Sequence, residues 1–345
     1  MPIPLISVVM PVYNVQAFVG QAVESILRQT FAQFELLIID DCSTDGTVDI
    51  VEKFKDERIV IIKKSQNTGL VASLNIGLEK ARGEFIARMD GDDISDALRL
   101  EKQLAYLHQH PDIDICGTAY RLIGSEGEVY FPATHDEIKF YMLDFCPMGH
   151  PTVIMRKSFI TRHQLKYDEA FTGAEDYELW TRCIWLGKIA NMTDILLSYR
   201  EHPHQASKII KPLQIENSEI CRVNMLRCLW ENASLTDCYT REFLFQDVTL
   251  NNMEELNAIV QWMDNIVKKN KEGNFYAPQL FDSYVSTKKR GVIRRFFLTV
   301  PVYTPKLFLK LIKAQNSYRQ YFTSLEYVKL GIKCMAFWRL KPATT

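Results

Sequence analysis

The run Ala87-Arg88-Met89-Asp90-Gly91-Asp92-Asp93-Ile94 places three carboxylates within four positions. They follow the strand-like stretch Gly83-Glu84-Phe85-Ile86-Ala87. Open α/β sheets bind ligands beyond the carboxyl ends of their strands, so such a strand would deliver its acidic residues into a crevice. Oxygen-rich clusters of this kind suit Mg2+ or Mn2+, with substrate phosphates completing the coordination shell. Asp-Gly-Asp is equally at home in a solvated turn. The cluster alone leaves both readings open.

Other residues could share that crevice. The apolar run Ile6 to Met10 leads through Pro11 to Tyr13, and a second run, Glu35 to Ile39, ends in Asp40-Asp41. A carboxylate at a strand end can accept from a nucleobase N–H or from ribose hydroxyls, and Tyr13 could stack on the base. A helix cap or Asx turn is the plainer use of Asp41, and a packed surface ring that of Tyr13. Glu175-Asp176 opens a predicted helix after the loop Phe171-Thr172-Gly173-Ala174. The helix dipole favours acidic residues there. A carboxylate aimed into the crevice would also serve as a general base. Neighbouring helical residues point about 100° apart, so one of the two would reach a substrate, and spacing does not choose between them.

Two polar segments complete the candidates. Tyr199-Arg200-Glu201-His202-Pro203-His204-Gln205 follows the strand-like Ile195 to Ser198. Arg200 could contact phosphate oxygens, and His202 could ligate a metal or donate to a leaving diphosphate; a surface role is the alternative. Met148-Gly149-His150-Pro151-Thr152 is a loop suited to lining an acceptor pocket.

The elements that must position these residues alternate in type. Strands are expected at Ile6–Met10, Glu35–Ile39, Arg58–Lys63 and Glu84–Met89. Helices are expected around Phe18–Leu27, up to Phe54, and over Leu70–Arg82. That alternation predicts a doubly wound α/β sheet. Further on, helices are predicted at Arg99–His110 and Glu175–Leu186, with strands at Ile113–Gly117 and Val153–Arg156 and an irregular stretch to His135. Beyond Lys208 the pattern is helical, clearest at Glu219–Trp230 and Met253–Val267. Boundaries are expected near Ile210 and Lys288. Neither GxGxxG nor GxxxxGK[ST] occurs at the first strand–helix turn, which removes support for dinucleotide and P-loop chemistry.

The 345 residues are 47% hydrophobic and 24% charged, an ordinary globular composition. The overall charge of −1 conceals segregation. Lys288 to Lys341 holds thirteen Lys/Arg against the single acid Glu326, so that segment carries +12 and the remainder −13. Such asymmetry suggests a polyanionic partner for the tail. The eight cysteines form no CxxC pair and match no zinc spacing. No signal-peptide pattern precedes the first strand, so the thiols are expected to be reduced in a cytosol, and the sequon Asn232-Ala233-Ser234 to be unused. No apolar run reaches the roughly 20 residues that span a bilayer.

Taken in order, these segments resemble the family 2 glycosyltransferases of GT-A fold. The likeness runs from residue 6 to about 207. It rests on Ser7-Val8-Val9-Met10-Pro11-Val12-Tyr13-Asn14, Gln29-Thr30-Phe31, Asp40-Asp41-Cys42-Ser43-Thr44-Asp45-Gly46-Thr47, Asn67-Thr68-Gly69-Leu70, Asn75-Ile76-Gly77, the acidic run itself, Glu175 to Trp180 and Tyr199 to His202. Ser73 to Leu78, Ala87-Arg88-Met89-Asp90 and His150-Pro151-Thr152 through Arg156 are similar to bacterial lipooligosaccharide transferases that add β-1,3-linked N-acetylhexosamine. His150-Pro151 stands where those enzymes usually carry Asn-Pro, in a loop expected to contact the acceptor.

The resemblance implies a GT-A catalytic domain over residues 1–210, mainly parallel with helices on both faces. A helical extension (211–287) and a basic amphipathic tail (288–345) would follow. It implies inverting, metal-dependent transfer of a hexose or N-acetylhexosamine from a UDP-sugar to a hydroxyl of a glycan or glycolipid. Donor contacts would come from Pro11, Tyr13, Asp41, Asn67, Asp90 and Arg200. Asp92, with Asp93 and His202, would hold Mn2+ or Mg2+. Asp176 would be the base, supported by Glu175, and His150 would belong to the acceptor loop. A sugar nucleotidyltransferase or an inactive sugar-nucleotide-binding scaffold are the rival readings. In the tail, Arg294-Arg295-Phe296-Phe297, Lys306 to Lys313 and Phe337-Trp338-Arg339 interleave cations with bulky apolar residues, as at an anionic membrane surface. The expected place is the inner face of a bacterial plasma membrane, with no nucleic acid; a helix packed on the catalytic domain is the alternative.

Overall fold

Strands β1 (Ile6–Val12) and β2 (Phe34–Asp40) are buried along their whole length, as strands covered on both faces must be. In the computed structural model, which describes residues 3–203, 205, 208, 210–299, 303–313 and 318–336, β1 pairs in parallel with β2 and with β4 (Phe85–Arg88). Strand β3 (Ile59–Lys63) extends the set beyond β2. Helices α1 (Val19–Leu27), α2 (Thr47–Val51) and α3 (Leu70–Lys80) connect them. The expected alternation is present.

Pro11 was expected to end the first strand, yet β1 continues to Val12. Val9 O accepts from Met89 N on the β4 side, whereas Val12 O accepts from Asp41 N on the β2 side. Alternation therefore turns residues 9 and 11 toward β4, whose pairing with β1 stops at Arg88 opposite Val9. No ladder partner remains there for the N–H that proline lacks. The chain instead enters the acidic turn. A Cβ on Gly91 would lie 2.8 Å from Val12 Cγ1, so a side chain there would push the turn off the strand. Gly77 does the same service for α3, since its Cβ would fall 2.2 Å from Val9 Cγ1.

Five more strands make the sheet mixed: β5 (Ile94–Ser95), β6 (Ile115–Ile123), β7 (Glu128–Val129), β8 (Ile154–Arg156) and β9 (Ile189–Arg200). The order is β3-β2-β1-β4-β8-β6-β9-β5, with β7 on β6. Strand β8 is antiparallel to β4 and β6, while β6 and β9 run parallel. The stretch expected to be irregular after Gly117 therefore begins as strand, to Ile123, and holds the short β7 before the helix at His135. Gly117 and Arg121 weaken the local strand signal, and the long pairing with β9 overrides it.

The described residues form two compact units, 1–225 and 226–345. The division after Met225 falls beyond the expected limit near Ile210, so the helix Lys211–Leu226 lies almost wholly in the first unit, and Lys288 lies inside the helix Pro278–Thr299. The second unit holds that helix together with Cys238–Leu244, Met253–Gly273, Pro305–Lys313 and Ser324–Met335. Its core includes Phe243, Met263, Phe281, Ile293 and Phe297. Among the described residues no helix is long and apolar enough to cross a membrane. His204, Phe337-Trp338-Arg339 and Lys341 lie outside the described residues.

Candidate active site

At the end of β4, one ligand atom each from Asp90, Asp92 and Asp93 lies within 4.8 Å of the others. Arg200, at the end of β9, clamps the turn from behind. Its backbone N donates to Asp93 Oδ1 at 2.8 Å and its Nε to the Asp92 carbonyl at 2.8 Å. The guanidinium lies over the Phe18 ring and reaches Gln21 Oε1 at 2.7 Å. The side chain expected to meet phosphate thus also builds the acidic turn. His202 Nε2 is 2.9 Å from Asp92 Oδ2, its ring against Phe18.

This turn is short of positive charge. Burial, then the charges of Asp90 and Asp92, push the Asp93 carboxyl up to about 9. Burial, followed by Asp90, raises Asp92 as well. Asp93 Oδ2 is buried without a hydrogen-bond partner. An all-carboxylate donor set with an orphaned buried oxygen fits a hard divalent cation.

Asp41 is buried, and its carboxylate is already engaged. It accepts from Lys64 Nζ, from Thr68 N at 2.9 Å and from Gly69 N at 2.8 Å. The side chain expected to hold a nucleoside therefore pins the loop that carries Asn67, which is exposed and turns its Oδ1 to Gly69 N. Tyr13 is 47% exposed at the neighbouring strand end. Asn14, at φ 51°, accepts from Thr44 N and lies within 3.0 Å of Ser43 Oγ through its own N–H. These bonds lace the ends of β1 and β2 together. Pro11 is buried within β1.

The helix Glu175–Leu186 begins where the sequence placed it. Glu175 is buried, and its Oε2 accepts from Gly173 N at 2.6 Å. Burial, then Asp176, pushes it up to about 7. Asp176 accepts from Tyr177 N at 2.7 Å on Oδ1, while the Cys146 thiol lies 3.8 Å from Oδ2. Burial raises this carboxyl too.

A cavity of about 370 Å³ joins the two acidic groups: Asp90 and Asp92 line it together with Glu175, Asp176 and His150. Tyr13, Asp41, Asn67, Asp93, Arg200 and His202 do not line it. His150 lies against Tyr167, its Nε2 2.9 Å from the phenol oxygen, and burial holds it well below its ordinary value, hence neutral. Asn75 brackets the Tyr167 backbone through both its amide atoms, which gives the Asn75-Ile76-Gly77 segment a structural use.

Three lining groups escaped the sequence reading. Arg88 carries the one signal that could have been read, because a cation inside a buried strand needs a buried partner. Cys146 showed nothing in its spacing. The aromatic wall of Tyr120, Phe131 and Tyr199 is assembled across β6, a loop and β9, with ring centroids 5.8 and 5.2 Å apart.

Comparison with known proteins places this geometry in a family. The description "Glycosyl transferase family 2" matches residues 7–169. The chain is 35% identical over 224 residues to the O-antigen biosynthesis glycosyltransferase WbnJ of Escherichia coli, covering 59% of this chain and 82% of that one. It is 32% identical over 177 residues to the E. coli UDP-Glc:alpha-D-GlcNAc-diphosphoundecaprenol beta-1,3-glucosyltransferase WfgD, covering 51% and 68%. Among solved structures, S. aureus TarS 1–349 in complex with UDP-GlcNAc superposes with a TM-score of 0.57 at 19% identity, over 86% of this chain and 92% of that one. The chain belongs to glycosyl transferase family 2. It is a glycosyltransferase with the GT-A fold.

Asp41 and Lys64 are a nearly dry ion pair, and removing one partner of such a pair costs about 3–5 kcal/mol. Asp41→Ala is therefore expected to lower the urea midpoint of the protein itself. An unchanged midpoint, with only ligand binding lost, would show that Asp41 has no pinning role.

Proposed function

We propose that this glycosyltransferase moves a hexose or N-acetylhexosamine, with inversion, from a UDP-sugar to a hydroxyl of a cell-surface glycan acceptor. Lipooligosaccharide, capsule or a lipid-linked oligosaccharide are the acceptor classes meant. The carrying observation is that Asp92 and Asp176 line one cavity from opposite acidic groups. The UDP-glucose and diphosphoundecaprenol in the name of WfgD, and the UDP-GlcNAc bound to TarS, support the donor and acceptor classes.

In this reading Asp176 takes the proton from the acceptor hydroxyl as its oxygen attacks the anomeric carbon in line with the departing UDP. Two observations favour it over Glu175: its Oδ2 meets only a weak thiol donor, whereas Glu175 is tied to Gly173. Asp92 and Asp93, with His202 beside them, would hold Mn2+ or Mg2+, which supplies neutralising charge for a departing diphosphate. Asp90, Arg200, Tyr13 and Asn67 would orient the nucleotide, and the His150 loop would form the acceptor side. The aromatic wall suits the apolar face of a sugar ring.

The second unit bears on where this happens. Much of the basic tail is paired internally: Arg294 with Glu326, Arg295 with Glu242 and Lys289 with Asp264. Phe296 and Phe297 are buried. The helix Ser324–Met335 differs. Leu325, Val328, Ile332 and Met335 are 56–67% exposed at spacings of three, four and three, with Lys329 also exposed beside them. An apolar stripe flanked by cations suits the interface of an anionic bilayer, and this supports peripheral attachment at the cytoplasmic face.

Screening UDP-sugars with Mn2+ or Mg2+ for released UDP tests the reaction; released pyrophosphate would mean nucleotidyl transfer instead. Asp92→Ala is expected to abolish the rise in melting temperature that metal gives, a stabilisation of about 2.7 kcal/mol at 100 times the dissociation constant. Asp176→Asn should still bind the donor yet lose transfer by about 10²-fold or more. A fully active Asp176→Asn enzyme sinks the base assignment. For the membrane reading, the full chain should pellet with vesicles containing anionic lipid. The triple change Leu325→Ser, Val328→Ser and Ile332→Ser should abolish pelleting while leaving the fold intact. Equal pelleting by both proteins would refute it.

A further inference from the structure

Of the described residues that line the cavity, Arg88 is the one cation, facing the carboxylates of Asp90, Asp92, Glu175 and Asp176. Its side chain is 4% exposed. The site fixes it firmly: its backbone N donates to Val153 O at 2.9 Å, and its carbonyl accepts from the buried Arg99 Nη2 at 2.7 Å. The guanidinium forms an ion pair with Asp90, and its Nε is buried without a hydrogen-bond partner. A guanidinium stays protonated under any condition the fold survives, so this is a permanent positive charge. Leaving one of its donors unmatched is costly. A residue needed only to hold the core could be replaced by an apolar side chain at lower cost.

We infer that Arg88 is the positioning residue shared by the two acidic groups: held by Asp90 on one side, its charge keeps Asp176 a carboxylate on the other. This deepens the reading of Asp176 as the base and rests on it. The charge of Arg88 acts in the same direction on Asp92, Asp93, Glu175 and Asp176, favouring the ionised form of each. Burial drives Asp176 toward the protonated acid, which cannot accept a proton; the Tyr177 N–H and then the charge of Arg88 oppose it. The groups facing Asp176 are Glu175 on its own helix, Arg88 on β4, the thiols of Cys146 and Cys221, the phenol of Tyr167 and the backbone N–H of Tyr177. None of the others is a cation. Arg88 is therefore the one full positive charge that opposes burial there, alongside the neutral Tyr177 N–H.

The test titrates the metal-free, full-length protein carrying 13C-labelled aspartate, with the Asp176 resonance identified by its loss in Asp176→Asn. In Arg88→Gln the midpoint of that resonance should rise by about one pH unit, a roughly tenfold gain in proton affinity. Arg88→Lys should bring it back toward the parent value. With UDP-GlcNAc or whichever UDP-sugar is turned over, the acid limb of kcat should move to higher pH by the same amount in Arg88→Gln. An unmoved midpoint in a folded Arg88→Gln protein overturns the inference. Arg88→Met serves as the second neutral variant; failure of both to fold, judged by near-ultraviolet circular dichroism, overturns it in favour of a purely structural ion pair. The titration needs no substrate, so its outcome stands apart from whether the chain releases UDP.

Discussion

Like charge gathered in a partly dry space is the constraint on which this catalytic domain turns. Four carboxylates face one cavity and a fifth, Asp93, is buried just behind it. Their mutual repulsion and desolvation would scatter them in a flexible loop. The fold prevents this by distributing the anchors over separate elements. Strand β9 supplies Arg200 and His202 to the acidic turn, β4 supplies Arg88 beneath it, and the loop before the second acidic pair supplies Gly173 N–H. What remains after these bonds is a deficit of positive charge. Burial first, and then the neighbouring charges of Asp90 and Asp92, push Asp93 up to about 9.

The same economy explains the strand ends. Strand β4 is only four residues long, and its last pairing with β1, at Val9, falls three residues before β1 itself ends at Val12. That early departure opens the space into which Asp90, Gly91 and Asp92 fold, and it removes the need for an N–H at Pro11. On the other side of β1, Asp41 spends its carboxylate on the loop at 68–69 and on Lys64, so that the β1, β2 and β3 ends form one rigid rim.

Much of this was legible in the sequence, for identifiable reasons. Buried parallel strands read as unbroken apolar runs, so β1, β2 and β4 emerge within a residue or two, and Glu175 announces its helix after Gly173-Ala174. Local pattern also placed the three aspartates at a strand end. It could not show β6 running on to Ile123, because the support comes from β9 some seventy residues later. Nor could it separate a cavity-lining carboxylate from a pinning one. Asp41 and Asp90 both end strands, but the difference lies in which backbone N–H groups the fold brings to them. Arg200 was assigned to phosphate on its type, whereas its first partners are the Asp92 carbonyl and the Asp93 carboxylate.

Sugar selectivity is the property least accessible to either kind of reasoning, and the cavity explains why. His150 lines it, but its Nε2 faces Tyr167, so one of its hydrogen-bonding atoms is already committed. The rings of Tyr120, Phe131 and Tyr199 line the same cavity, and an aromatic face of that kind would not discriminate among pyranoses. Discrimination between epimers then has to come from the few polar atoms that converge on the same space. Gln205, Gln214 and Thr172 line the cavity beside the carboxylates, but Gln205 already accepts from His202 N and donates to the Tyr199 hydroxyl, and the Thr172 hydroxyl donates to Glu169 O. A site built to hydrogen-bond a hydroxyl rejects the analogue that lacks it far more strongly than an apolar wall rejects a wrong shape. With the polar atoms of Gln205 and Thr172 bonded inside the protein, selection by hydrogen bonding would require those bonds to be exchanged for bonds to the sugar.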